Sequence, residues 1–345
     1  MNSIERVRAV IAGEPVDRFP VQPMLMMFAA RHIGRTYLDY VRDPMVLAEA
    51  QVAIAADYGI DCLLTCSDPA RELIDIAGDA SVSWEDSGPA IKDDEAALLD
   101  KRRLATFRVP HPIAPGRMAE RIRSIEALRR AAGPGMSIVG WVEGPMALGA
   151  ELRGINNLMV DFYDDPAFVT DLMNFCADVA ISYWEPQVEA GADTIGMSDA
   201  AASIIGPRLY EQFVFPAQMR VLTAIKARRP EVIIRSHMCG QTGPLLHQMR
   251  ELPADIYELD FPVDLVEARR ILGPDRVILG NVSTVGVLLT GTPEEVYEAA
   301  GIAHRAAGSR HIVGSGCEMA PATPPENLRS LVDYARNHRP GDSPG

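Results

Sequence analysis

The chain has 345 residues, 48% of them hydrophobic, and a formal charge of −14. That length admits two domains, but α/β barrels reach it as one unit, and the apolar share is ample for a large core. The acidic balance excludes nucleic acid and anionic membrane as natural partners, because both need a basic surface.

The opening MNSIERVRAVIAGEPVDRFP reads as an amphipathic helix stopped at Gly13 and Pro15, giving an N-terminal helical segment over 1–20. It has no apolar core of signal-peptide length. No apolar run approaches the roughly 20 residues that span a bilayer. Eight short apolar runs then recur as strand candidates: VQPMLMM from Val21, DCLLTC from Asp61, MSIVGWVEGP from Met136 and DTIGMSD from Asp193, followed by EVIIRSHMCG from Glu231, DIYELDFP from Asp255, RVILGNVS from Arg276 and RHIVGSGCE from Arg310. Helical spacers separate most of them. One starts at Asp165 with Pro166 in its first turn, one at Pro207, and one at Thr292 with a Thr-x-x-Glu capping box. Eight strands alternating with helices predict a (β/α)₈ TIM barrel, with 1–345 as a single barrel domain. The turn-rich, mixed-polarity stretch 81–118 breaks the alternation. It is expected to be an insertion between the second strand, DCLLTC, and the third, overhanging the barrel mouth. The Pro/Gly/Ser-rich tail 339–345 is expected to be frayed.

Five cysteines at irregular spacing form no disulfide framework, which points to a reducing, cytoplasmic setting. His237 and Cys239 end one candidate strand, and Cys317 ends another 78 residues later. A His and a Cys two apart on a strand share a face, a pattern that also arises by chance. The third soft donor at a second strand end gives it meaning. One imidazole and two thiolates suit zinc and leave a tetrahedral ion one open position, as catalytic sites do. Two thiolates and a neutral imidazole cancel the ion's charge, so an added substrate thiolate stays electron-rich and suited to alkyl transfer. Cys62, Cys66 and Cys176 lack such a setting and read as core or wall residues.

Barrel active sites lie at the C-terminal ends of the strands. The proposed ends also carry Asp68, Glu143, Asp199, Asp260 and Asn281. Asp260 reads as a resting fourth zinc ligand or an orienter of the histidine, against the plainer role of helix N-cap. Asp199 and Glu143 are catalytic candidates, against capping and loop bracing. Asp68 and Asn281 are candidates for binding substrate or cofactor. Arg31 and Arg35 could clamp an acidic group, against a solvated helix face.

The stretches WVEGPMALGAELRG, SHMCGQTGPLL, ILGNVSTVGVLLTGTPEEV and GSGCEMAPATPPENLRSLV resemble the uroporphyrinogen decarboxylase superfamily over nearly the whole chain. Within it the resemblance is to the zinc-dependent methylcobamide:coenzyme M methyltransferase branch, whose His-x-Cys…Cys motif carries onto His237, Cys239 and Cys317. It implies a barrel, bound zinc, and a corrinoid, either methylcobalamin or one held by a partner corrinoid protein. Zinc would activate an acceptor for attack on the methyl–cobalt bond, leaving cobalt(I). No Asp-x-His-x-x-Gly cobalamin stretch is present, so any corrinoid would be supplied from outside or by another subunit. The sister reading is a tetrapyrrole decarboxylase. RHIGR and CSDP resemble its carboxylate-binding arginines and essential acid, at Arg31, Arg35 and Asp68. The rest of its Arg-rich signature is missing. A non-catalytic corrinoid-binding barrel is a third reading.

Overall fold

The structure, a computed structural model, describes residues 1–85 and 87–341. Most of the 339–345 tail therefore lies outside the described residues. The strands are β1 (Leu63–Leu64), β2 (Val82–Glu85), β3 (Gly88–Ile91), β4 (Ile138–Glu143), β5 (Thr194–Ser198), β6 (Ile233–Met238), β7 (Ile256–Leu259), β8 (Val277–Leu279) and β9 (His311–Ile312). Seven of them form one parallel sheet in the order β1-β4-β5-β6-β7-β8-β9, so each pairs with the next around the barrel.

The first predicted strand is not one. The segment from Val21 makes only isolated parallel bridges, Val21 to Val313 and Met24 to Glu318. On its other side the Val21 carbonyl accepts from the Asp61 amide at 2.9 Å. It thus closes the gap between β9 and β1 as an irregular eighth stave. Pro20 and Pro23 explain this, since neither has an N–H to give to a ladder. Side chains take over part of that role: Ser315 Oγ accepts from the Met24 amide, and the Glu318 carboxylate from those of Met26 and Met27.

The N-terminal helix Ser3–Ala12 starts with a reciprocal Asn2–Glu5 capping box and ends at Gly13. Its Val7 and Val10 pack against Ile233, Ile256 and Val277, the first residues of β6, β7 and β8. It therefore plugs the N-terminal end of the barrel and leaves the opposite mouth open. Arg6 and Arg18 lock it in place through the buried Asp61, each at 2.7 Å.

The predicted spacers form helices at Pro166–Glu189, Phe215–Arg228 and Pro293–Ala307, the last with the expected Thr292–Glu295 box. A π-turn over Tyr210–Val214 precedes Phe215, because Pro216 cannot donate to the previous turn. Within 81–118, β2 and β3 form an antiparallel hairpin followed by short 3₁₀ turns. Among the described residues no helix is long and apolar enough to cross a membrane.

Candidate metal centre

β6 delivers Arg235 and His237 on one face and runs into Cys239, while Cys317 lies on the loop after β9. Gly316 lets that loop come close: a Cβ there would sit 2.4 Å from the Phe261 amide nitrogen. The result brings the three soft donors together. His237 Nε2 is 3.1 Å from Cys239 Sγ, which is 3.2 Å from Cys317 Sγ, and all three ligand atoms lie within 4.8 Å of one another. Both cysteines are free thiols. Tetrahedral zinc sets such donors roughly 3.5–3.8 Å apart. The trio would need to open by about half an ångström to hold it, so geometry and donor chemistry both fit a soft divalent ion.

Hydrogen bonding within the trio polarises its three groups. Cys317 is pulled down to about 5 by the hydrogen bond from the Cys239 thiol, against burial, and by His237, while Cys239 is pushed up by the same sharing. Burial opposes charge on His237, but Glu258 and Cys317 outweigh it and raise the ring to about 10.

Glu258 is the functional residue that sequence reasoning missed. It pairs in register with His237 across β6 and β7, and its Oε2 lies 2.8 Å from His237 Nδ1. The same carboxylate accepts from Arg235 Nε at 2.8 Å. All three are at most 2% exposed. The arrangement fixes Nε2 as the ring nitrogen facing the thiols, as carboxylate–histidine pairs do behind metal sites. An acid in the middle of the apolar strand DIYELDFP was the available signal.

Asp260 stands close to Cys239. Its Oδ2 accepts from Gly240 N and its Oδ1 from Phe261 N, both at 2.7 Å, so it braces the turn after Cys239. It is neither the partner of the histidine ring, which is Glu258, nor the cap of the following helix, which is Asp264. Asn281 Nδ2 donates to the Asp260 and Val263 carbonyls and lines a separate groove.

Below the trio lies a cavity of about 360 Å³, lined by Asp68, Glu143, Cys66, Trp141 and the tip of the β2–β3 hairpin at Ser87–Pro89 among others. Asp68 is engaged by Ser67 Oγ at 2.7 Å, Arg117 at 3.2 Å and Arg71 at 3.3 Å. Burial opposes its charge, but the two guanidiniums hold it below the usual carboxylate range. Arg31 and Arg35 do not reach the cavity: both are exposed, and Arg31 donates to the Pro321 carbonyl. Glu151 and Glu318, which the sequence reading did not single out, also line it.

Asp199 lies behind the wall, accepting from Ala147 N and Gln218 Nε2, each at 2.7 Å. Burial pushes it up to about 7 against those hydrogen bonds, from 3.8. The folded acid keeps its proton to higher pH than the unfolded one. Its contribution to stability is therefore full below about pH 4 and is lost towards pH 7, at most about 1.4 kcal/mol per pH unit. Asp199→Asn should remove that slope. Urea midpoints for both proteins between pH 4 and 7 check it, and a constant difference between them would contradict the buried-acid assignment.

Fold and site together define a (β/α)₈-type barrel with a soft-donor centre at its C-terminal mouth. The chain belongs to the uroporphyrinogen decarboxylase (URO-D) family, whose model matches residues 2–338. It is 32% identical over 226 residues to the methylcobamide:CoM methyltransferase MtbA of Methanosarcina mazei, a match spanning 65% of this chain and 65% of that relative. It is 27% identical over 355 residues to a uroporphyrinogen decarboxylase of Myxococcus xanthus, across 97% and 96% of the two chains. Among solved structures, a methyltransferase from Methanosarcina mazei shares its fold, with a TM-score of 0.88 over 98% of this chain and 99% of that one at 21% identity.

Proposed function

We propose that the protein is a zinc-dependent methyltransferase that moves a methyl group between a corrinoid and a thiol or another small acceptor. The observation that carries this reading is the convergence of His237, Cys239 and Cys317 over a cavity at the barrel mouth. The likeness to a methylcobamide:CoM methyltransferase supports it. The corrinoid, free or on a partner protein in the cytoplasm, serves as substrate.

When bound, zinc would supply the positive charge that keeps an acceptor thiol deprotonated at neutral pH. The chain's own residues do the rest. Glu258 orients His237, and Asp260 holds the turn that presents Cys239. Trp141, Met24 and Met26 line the space beside the trio with apolar surface. At about 360 Å³ the cavity suits a small molecule. A corrin macrocycle is larger and would stay at the mouth, presenting its methyl group inwards. The acceptor's lone pair forms the new bond to the methyl carbon, and the cobalt–carbon pair remains on cobalt as cobalt(I).

The family likeness to decarboxylases favours a second reading, but the cavity opposes it. No Arg or Lys occurs among its described lining residues, although a tetrapyrrole rich in carboxylates needs cations there. Incubating the purified protein with methylcobalamin and a panel of thiols, while following the corrinoid spectrum, tests the ranking. Loss of the methylcobalamin bands with formation of a methyl thioether is expected. No turnover with any acceptor, together with decarboxylation of uroporphyrinogen, would reverse it.

A further inference from the structure

The cavity wall carries two acids that have no ion-pair partner among the described residues. The buried guanidiniums around it are engaged elsewhere: Arg71 and Arg117 on Asp68, Arg235 on Glu258, and Arg121 on Glu72 and the Trp141 carbonyl. Glu143 and Glu151 line the cavity at 6% and 9% exposure. Among the described residues neither carboxyl group has a hydrogen bond or ion pair, and Glu151 Oε2 is buried without a partner. Burial pushes both acids well up, and repulsion adds to it, from Glu72 on Glu143 and from Glu143 on Glu151, while Arg121 offsets part of the rise on Glu143. A role in holding the fold together does not account for them, since a structural acid would be paired. The same cavity presents the Trp141 ring and the thioethers of Met24, Met26 and Met27, surfaces that accept cations and methyl groups.

We propose that the small molecule taken by this cavity is an organic cation, an ammonium or methylated ammonium, held by Glu143 and Glu151 beside Trp141. An anionic ligand would meet these acids with no Arg or Lys among the described lining residues to offset them. A cation would supply the missing partner. The proposal deepens the methyltransferase reading and rests on it for the ligand's purpose, though not for its binding.

Calorimetry on the purified full-length protein tests it with three thiol-free probes. Choline is the cation, 3,3-dimethylbutan-1-ol is its neutral isostere, and 2-hydroxyethanesulfonate is an anion. Choline should bind at least about tenfold more tightly than the isostere, the scale of one partly desolvated charge contact, and the anion should not bind. Glu151→Gln and Glu143→Gln should each weaken choline by about tenfold and leave the isostere unchanged. Both variants remove an uncompensated buried acid, so they should melt no lower than the wild type. If one fails to fold, the comparison of probes on the wild-type protein still decides. Equal binding of choline and isostere, tighter binding of the sulfonate, or full choline affinity in both variants would overturn the proposal. The methylcobalamin assay reads separately. Choline binding without methyl transfer to any acceptor would leave the cation site and remove the methyltransferase reading, and methyl transfer without charge discrimination would do the reverse.

Discussion

Cys317→Ala protein is expected to purify folded, with under about one-tenth of a zinc equivalent and no methyl transfer above background. The side chain is only part-buried, and its Sγ contacts the Cys239 thiol and lies beside His237. The barrel core beneath does not use it, so melting should shift little. The metal should respond strongly. Zinc held by protein ligands is worth about 10–16 kcal/mol in all, so one ligand of three or four carries roughly 3–4 kcal/mol, on the order of several hundredfold in affinity. Metal analysis by mass spectrometry beside a circular-dichroism melt reads both quantities. Full zinc content in the variant would show that the ligand set is wrong.

Glu258→Gln should do more damage to the fold than the loss of a zinc ligand, although Glu258 touches no ligand position facing the cavity. Its carboxylate is shared between Arg235 and His237 in the barrel interior. Burial opposes its charge, yet the two cations more than offset this and hold it down to about 2. A neutral amide leaves Arg235 charged, fully buried and without an anion, a change worth about 3–5 kcal/mol of stability. The freed ring of His237 should also lower zinc affinity by about 10–100-fold. The two losses separate in a double variant. Arg235→Met with Glu258→Leu removes both charges, and apolar replacements of a buried pair are often neutral or stabilising. Denaturant midpoints should recover in the double variant, while zinc affinity stays low. Recovery of both would show that Glu258 acts on the fold alone and not through the histidine.

Much of the barrel was legible because strands and helices are written locally. Alternation and capping residues placed the strand around Ile138, the strand around Ile233 and the helix closed by the Thr292–Glu295 box close to their observed positions. The segment from Val21 was misread because its apolar content is that of a strand, while Pro20 and Pro23 deny it the donors of one. The soft-donor trio was legible as residue types, and the structure brings it together. The arginines at 31 and 35 were legible only as a local pattern, and neither lines the cavity.

By itself the sequence determined the alternation of strands and helices and the presence of three soft donors at strand ends. Both are properties of short stretches of chain, set by side-chain period and donor type. Only the tertiary structure decided which acid serves His237, which acids stay uncompensated, and what closes the barrel. Those outcomes depend on parallel register between strands and on how close two loops approach. Glu258 stands beside His237 rather than Asp260 because the β6–β7 pairing aligns it so, a relation that no local pattern in either strand encodes.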